Sequence, residues 1–329
     1  MAIVVQDFRE RMEDKQSVFK TEVLGVKQMG WWRDDPYPHI LPEDCWSLNL
    51  WEEISYKAIQ YFAQSEIAWH DQKNNMLSSQ VMSVNIFFPL KQHLELLKSW
   101  LSRYYSDIKS VNDLDFEYIG PKNRNYFNER GGRGQNRTSS DISIIWEDKD
   151  KGRNMLLIEF KFTEPNFGEC SQLNNPDRQR CFSPRRVVSS PYTQCHKAQV
   201  GRTYWDRILA EDSPFRRNHL MATSYCPFRY DFYQLMRNQL LAHCIQSDHT
   251  AGFHRVEFGV MYHADSDRLL RMSHPFVGER DPLRAWPSLL KNPDNFHTFT
   301  VQDFLESIDN SLPEELVDWR MYLKQRYGV

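Results

Sequence analysis

Two runs rich in β-favouring residues, Asp141-Ile-Ser-Ile-Ile-Trp-Glu147 and Met155-Leu-Leu-Ile-Glu-Phe-Lys-Phe162, flank the charged, glycine-bearing stretch Asp148-Lys-Asp-Lys-Gly-Arg153. Branched and aromatic side chains fit extended backbone, and the stretch between them has turn chemistry, so the pair predicts a β-hairpin. Strand side chains alternate between faces. Leu157, Glu159 and Lys161 therefore share one face, while Ile158, Phe160 and Phe162 form the other, which belongs to the core. This places a carboxylate and an ammonium inside an apolar run, where each is costly to bury without a partner.

A turn over residues 148–153 brings Asp141 across from the neighbourhood of Glu159 to Lys161. Strict pairing opposes Asp141 to Phe160, on the wrong face, so a one-residue shift or a bulge near 141–147 or 155–160 is required to set it beside Glu159. Two carboxylates held that close repel unless a proton or cation lies between them, and hard oxygen donors suit Mg²⁺ or Mn²⁺. Hydrolysis of a phosphodiester needs such a cation, and Lys161 beside it can hold or help deprotonate a water.

Around this hairpin the chain reads as helices, a β-rich centre, then helices again. Apolar spacing predicts helices over Glu43 to Phe62, after Pro89, over Pro191 to Ala210, over Tyr230 to His243 and from Pro313 onward, with a Ser-capped helix beginning at Ser78. Phe116 to Ile119 and Phe258 to Tyr262 read as further strands. The expected organisation is a mainly helical region at 1–110 packed on a core at 111–265, a long irregular insertion at 163–192, and a helical extension at 266–329.

The 329 residues carry 41 Lys and Arg against 44 Asp and Glu, a formal net charge of −3, so any nucleic-acid contact must be local. Lys122, Arg124, Arg130, Arg133 and Arg137 before the hairpin, and Arg178, Arg180, Arg185 and Arg186 after it, are the candidate phosphate-binding clusters. No signal-peptide core and no long apolar span occurs, so a cytoplasmic protein without a membrane partner is expected. None of the six cysteines forms a C-x-x-C pair, and reduced thiols are expected. Cys170, Cys181 and Cys195, with His196, are an irregularly spaced alternative for zinc or an iron–sulfur cluster.

With Asp141, Glu159 and Lys161 in place, the sequence resembles the PD-(D/E)XK nuclease superfamily. The wider chain resembles a family of bacterial restriction endonucleases within it, through Ile67-Ala-Trp-His70, Ser78-Ser-Gln80 with Asn85, Phe88-Pro-Leu90, Thr138-Ser-Ser-Asp141, Glu159-Phe-Lys-Phe-Thr-Glu164 and Tyr233-Gln-Leu-Met-Arg-Asn-Gln-Leu-Leu-Ala242. The resemblance implies an α/β fold, a restriction-endonuclease-like mixed central sheet flanked by helices. It implies a metal held by Asp141, Glu159 and the Phe160 carbonyl, with Lys161 positioning the water. It also implies DNA as partner, a role in restriction or other defence, and a homodimer or larger defence complex. Glu164, Gln234 or Gln239, His70 and Gln80 are further candidates near the site. Ser140 stands where the superfamily's name has proline. The alternatives are a catalytically inactive nucleic-acid-binding module on the same fold and a helical scaffold or partner protein.

Overall fold

The computed structural model describes residues 6–172, 189–221 and 226–329. Its centre is a five-stranded mixed sheet in the order β3-β4-β5-β6-β7, with β3 at Ile108–Tyr118, β4 at Ser140–Asp148, β5 at Arg153–Lys161, β6 at Arg255–Tyr262 and β7 at Phe296–Thr300. The β3-β4-β5 part is antiparallel, and β5, β6 and β7 run parallel. A two-stranded ribbon, β1 at Gly30–Trp32 and β2 at Asp35–Tyr37, stands apart.

Helices of eight residues or more are numbered here: α1 Phe8–Val18, α2 Glu52–Gln64, α3 Ser79–Phe87, α4 Leu94–Leu101, α5 Phe232–Ser247, α6 Val301–Asp309 and α7 Val317–Tyr327. They cover both faces of the sheet, and alternation along the hairpin sorts its side chains between two cores. Ile142, Ile144, Trp146, Leu156, Ile158 and Phe160 pack with α2, α3, α4, α6 and α7. Ile145, Met155 and Leu157 pack with α5 and the short helices near it. Both faces of the hairpin are therefore core, and the Leu157 face turns polar only at its end.

Three expected helices are interrupted. Glu43 to Phe62 divides into a 3-10 turn at Glu43–Asn49 and then α2. At the break, Trp51 N donates to Asn85 Oδ1 (2.8 Å) and the buried Asn49 amide donates to Lys73 O and Asn75 O, so tertiary hydrogen bonds override helical spacing. The segment after Pro89 starts as a 3-10 turn and becomes α4 beyond His93. Pro191 to Ala210 forms three short helices, interrupted by extended Cys195 and by Gly201 at φ +83°.

The fifth strand comes from 296–300, inside the stretch read as a helical extension, because β7 gains its partner only by pairing with the distant β6. No helix among the described residues is long and apolar enough to cross a membrane.

Candidate active site

The hairpin turn decides what faces what. Asp148 N donates to Gly152 O (3.0 Å) around a three-residue loop, and Lys151 takes the left-handed conformation at φ +64°. The Asp148 carboxylate organises the loop, accepting from Asp150 N (3.0 Å), Gly152 N (2.7 Å) and Asn154 Nδ2 (3.0 Å). An odd loop closed at Asp148 and Gly152 gives the register Ile142↔Ile158, which sets Asp141 in line with Glu159. The required one-residue shift thus lies in the turn itself, not at 141–147 or 155–160. On the other side of β4, Phe116↔Ile142 and Tyr118↔Ser140 set Glu117 in line with Asp141. Three acidic residues from three adjacent strands share one end of the sheet, where the carboxyl ends of β5 and β6 also lie.

Each residue of Thr138-Ser-Ser leading into Asp141 is tied down. Thr138 donates through N (2.8 Å) and Oγ1 (2.9 Å) to Glu129, and Arg237 of α5 donates to Thr138 Oγ1 (2.8 Å). Ser139 Oγ donates to Glu117 Oε2 (2.8 Å), and Ser140 Oγ lies 2.9 Å from the Ile158 carbonyl on β5. Asp141 Oδ2 then accepts from Phe160 N (2.6 Å), which sets the Phe160 backbone beside it.

Glu159 and Lys161 are almost fully buried, with Nζ 2.9 Å from Oε1. Gln234 bridges them: its Nε2 donates to Glu159 Oε1 (2.6 Å) and its Oε1 accepts from Lys161 Nζ (2.9 Å). Asn238, one turn along the same face of α5, donates to Glu159 Oε2 (2.6 Å). Gln239 points elsewhere and is buried, and its Oε1 has no hydrogen-bond partner among the described residues. Glu164 Oε2 accepts from Phe162 N (2.7 Å).

Gln80, in the first turn of α3, is a hub. Its Oε1 accepts from His70 N (2.8 Å) and its Nε2 donates to Glu117 Oε1 (2.7 Å). His70 Nε2 lies 3.3 Å from the same carboxylate. The His70 segment is fixed by Trp69 stacking on Phe62 (4.0 Å between ring centroids) and by Ala68 N donating to Arg133 O (3.0 Å).

The charges in this cluster are unbalanced. Burial, then the negative charges of Glu159 and Glu117, push the Asp141 carboxyl well above its ordinary pKa. Burial alone would lower Lys161, but Glu159, Glu164 and Asp141 outweigh it and hold it as an ammonium above the ordinary lysine range. Burial would likewise raise Glu117, yet hydrogen bonds from His70, Ser139 and Gln80 and the His70 charge keep it below the usual carboxylate value. His70 is raised in turn, the Glu117 contact outweighing its burial.

Glu117 and Asn238 are the site residues that sequence reading missed. Glu117 sits in Phe116-Glu-Tyr-Ile119 as one acid among strand formers. Its signal is structural: φ is +48°, rare for a side chain of this kind, and the residue is 2 % exposed. Asn238 is marked only by its four-residue spacing from Gln234.

The basic clusters are less available than their composition implies. Arg133 is half-buried and donates to Asp115 Oδ1 (2.6 Å) and Glu117 O (3.2 Å), so it serves the fold rather than solvent. Arg124 pairs with Asp248 (2.7 Å), and Arg137 donates to the Arg124 carbonyl. Arg130 and Lys122 are exposed. Arg178, Arg180, Arg185 and Arg186 lie outside the described residues, as does Cys181. Cys170 and Cys195 join Cys226 around a small apolar cavity, but no group of three His, Cys, Asp or Glu among the described residues is arranged to hold a metal.

A family model described as "Restriction Endonuclease associating with ARP" matches residues 12–328. The chain belongs to that family. Curated proteins and solved structures give no match. In this member of the family the donors beside Asp141 fit a small hard cation. A carboxylate accepts about four hydrogen bonds, so Glu159, with three donors, and Asp141, with one, both keep lone pairs free. Two carboxylates and a backbone oxygen, completed by water, match the sparse protein ligation typical of Mg²⁺.

Proposed function

We propose that this chain is a divalent-metal-dependent endonuclease that hydrolyses DNA phosphodiester bonds in restriction or anti-phage defence. The observation that carries this reading is the alignment of Asp141 with Glu159 at the sheet end, with a charged Lys161 two residues on. Asp141, Glu159 and the Phe160 carbonyl would hold Mg²⁺ or Mn²⁺. Once bound, such an ion polarises a phosphate oxygen, lowers the pKa of a bound water and offsets charge that develops during in-line attack.

The protein's own groups do the rest. Lys161 acts as a fixed cation that orients water and contacts phosphate; its raised pKa favours holding over deprotonating. Gln234 and Asn238 fix the orientation of the Glu159–Lys161 pair, Gln234 by bonding both members and Asn238 by bonding the other Glu159 oxygen. Gln80 and Glu117 position His70 at the rim, where its ring can donate to a phosphate. Arg130 is the exposed basic residue for a more distant phosphate. The family's description couples its nuclease to a component called ARP, and we propose that this chain works beside such a partner in the cell's interior.

Supercoiled and linear DNA incubated with the purified protein, with and without Mg²⁺ or Mn²⁺, tests this. Metal-dependent nicking or cutting that disappears in Asp141→Ala is expected. Binding without cleavage in every metal would favour an inactive DNA-binding module instead.

A further inference from the structure

A groove of about 490 Å³ opens beside the catalytic end of the sheet, reached from Lys161 through the next residues of the chain, Thr163 and Glu164. His70 is shared between this groove and the site. The far wall is aromatic: Trp32 and Tyr37 from the β1–β2 ribbon are half-buried, and the His39 ring stands 5.7 Å from that of Tyr37. The near wall is the start of α3, where Ser78 and Ser79 line the groove; Ser78 Oγ caps Val81 N, and the N–H groups of Ser79 and Gln80, unpaired among the described residues, are left for a ligand.

We propose, resting on the nuclease reading, that this groove takes one unpaired nucleotide of the DNA strand next to the scissile phosphate, its base among Trp32, Tyr37 and His39 and its phosphate at the start of α3. His39 is the independent observation that calls for a ligand. It is 4 % exposed, its ring makes no hydrogen bond among the described residues, and it lines the groove, where a ligand can meet its ring nitrogens. Burial, then Arg9 and Lys20, lower its pKa to about 4, so the imidazole is neutral and offers a flat face and a hydrogen-bonding edge rather than charge. Aromatic faces beside such an edge suit a nucleobase. Gln72, on the floor, keeps its amide nitrogen without a partner among the described residues and can meet the base edge. The helix start supplies the phosphate side together with Arg9, whose Nε donates to Glu13 at 3.0 Å and whose remaining guanidinium N–H groups, free among the described residues, are left for the phosphate. The volume matches a small-molecule pocket, and a stacked base pair could not present a single base to it.

Photocrosslinking tests this with the full chain in EDTA, so that nothing is cut. Single-stranded DNA carrying 5-iododeoxyuridine, and duplexes with that base either paired or opposite an abasic gap, are irradiated with the protein, and the crosslinked peptides are mapped by mass spectrometry. The expected result is crosslinks within residues 31–39 from the single strand and the gapped duplex, and few from the paired duplex. Tyr37→Ala should weaken single-strand binding roughly five- to hundredfold, the range of one lost stacking platform, while Tyr37→Phe binds as the wild type does. Crosslinks confined to other segments, or wild-type binding by Tyr37→Ala, would overturn the proposal. A protein that crosslinks at 31–39 but fails to cleave DNA in every metal tried keeps the groove and loses the nuclease reading; one that cleaves while crosslinking elsewhere does the reverse.

Discussion

Ser140 shows how one side chain can stand in for the proline of the superfamily's name. A proline would stiffen the entry to Asp141 through its ring, whereas Ser140 does so with a hydroxyl 2.9 Å from the Ile158 carbonyl of the next strand. Ser140→Ala should cost about 1 kcal/mol in urea unfolding, the usual net worth of one such bond; no change would mean the hydroxyl is incidental. Glu117 makes a different prediction. Because its contact raises His70, Glu117→Gln should lower the His70 pKa toward the ordinary histidine value, which an NMR titration of the imidazole would follow. Asp141, Glu159 and Lys161, which the structure brings together, stood out in the sequence because each interrupts or heads an apolar run, where a charge needs an explanation. Glu117 and Asn238 were not, because one sits in an unremarkable strand and the other on a helix whose polar residues look solvated until its packing is known.

At the scale of elements, the hairpin turn transmits register to the site. The Asp148 carboxyl is held below its ordinary value by hydrogen bonds from Asn154 and Gly152. A depressed carboxylate contributes stability that is present above its unfolded value, near pH 4, and is lost as pH falls through the folded value. The melting-temperature gap between wild type and Asp148→Asn should therefore be full at pH 5 and close toward pH 2; a gap independent of pH would remove Asp148 as the organiser of the turn. Gly134 is the matching device on the other side. It sits at φ +70°, and an added Cβ would meet the Ala68 carbonyl at 2.2 Å, so Gly134→Ala should push away the segment that carries His70. The left-handed conformation alone costs about 1–2 kcal/mol for a residue with a side chain, and thermal denaturation should show at least that. The hairpin's existence could be read from its two runs, but its register could not, because a three-residue loop and a six-residue loop look alike until one residue adopts positive φ.

Across the whole molecule, the sheet separates two cores, and the end that carries the candidate site is where both give way to polar groups. Phe304 of α6 packs against Trp100 (5.0 Å) and Phe87 (5.1 Å) in the first core. Phe304→Ala should cost about 3–5 kcal/mol of stability, as other buried phenylalanine truncations do, while leaving the metal dependence of any activity unchanged. The β4–β5 pairing was legible because a local turn builds it, whereas β3 reaches β4 only across the long connection 119–139. The parallel pairing of β5 with β6 and of β6 with β7 joins segments tens of residues apart, so it depends on long-range packing that no local pattern encodes. On the proposed reading, Asp141 is an acid kept for a cation at some cost to the fold. Asp141→Asn tests it in one comparison, with melting temperature in EDTA and DNA cleavage in Mg²⁺ measured on the same preparation. Relief of the crowding with Glu159 and Glu117 should raise the melting temperature, while cleavage falls by about a hundredfold or more, the scale of losing a group that acts in the transition state. A variant that melts lower and cleaves as well as the wild type would contradict the account.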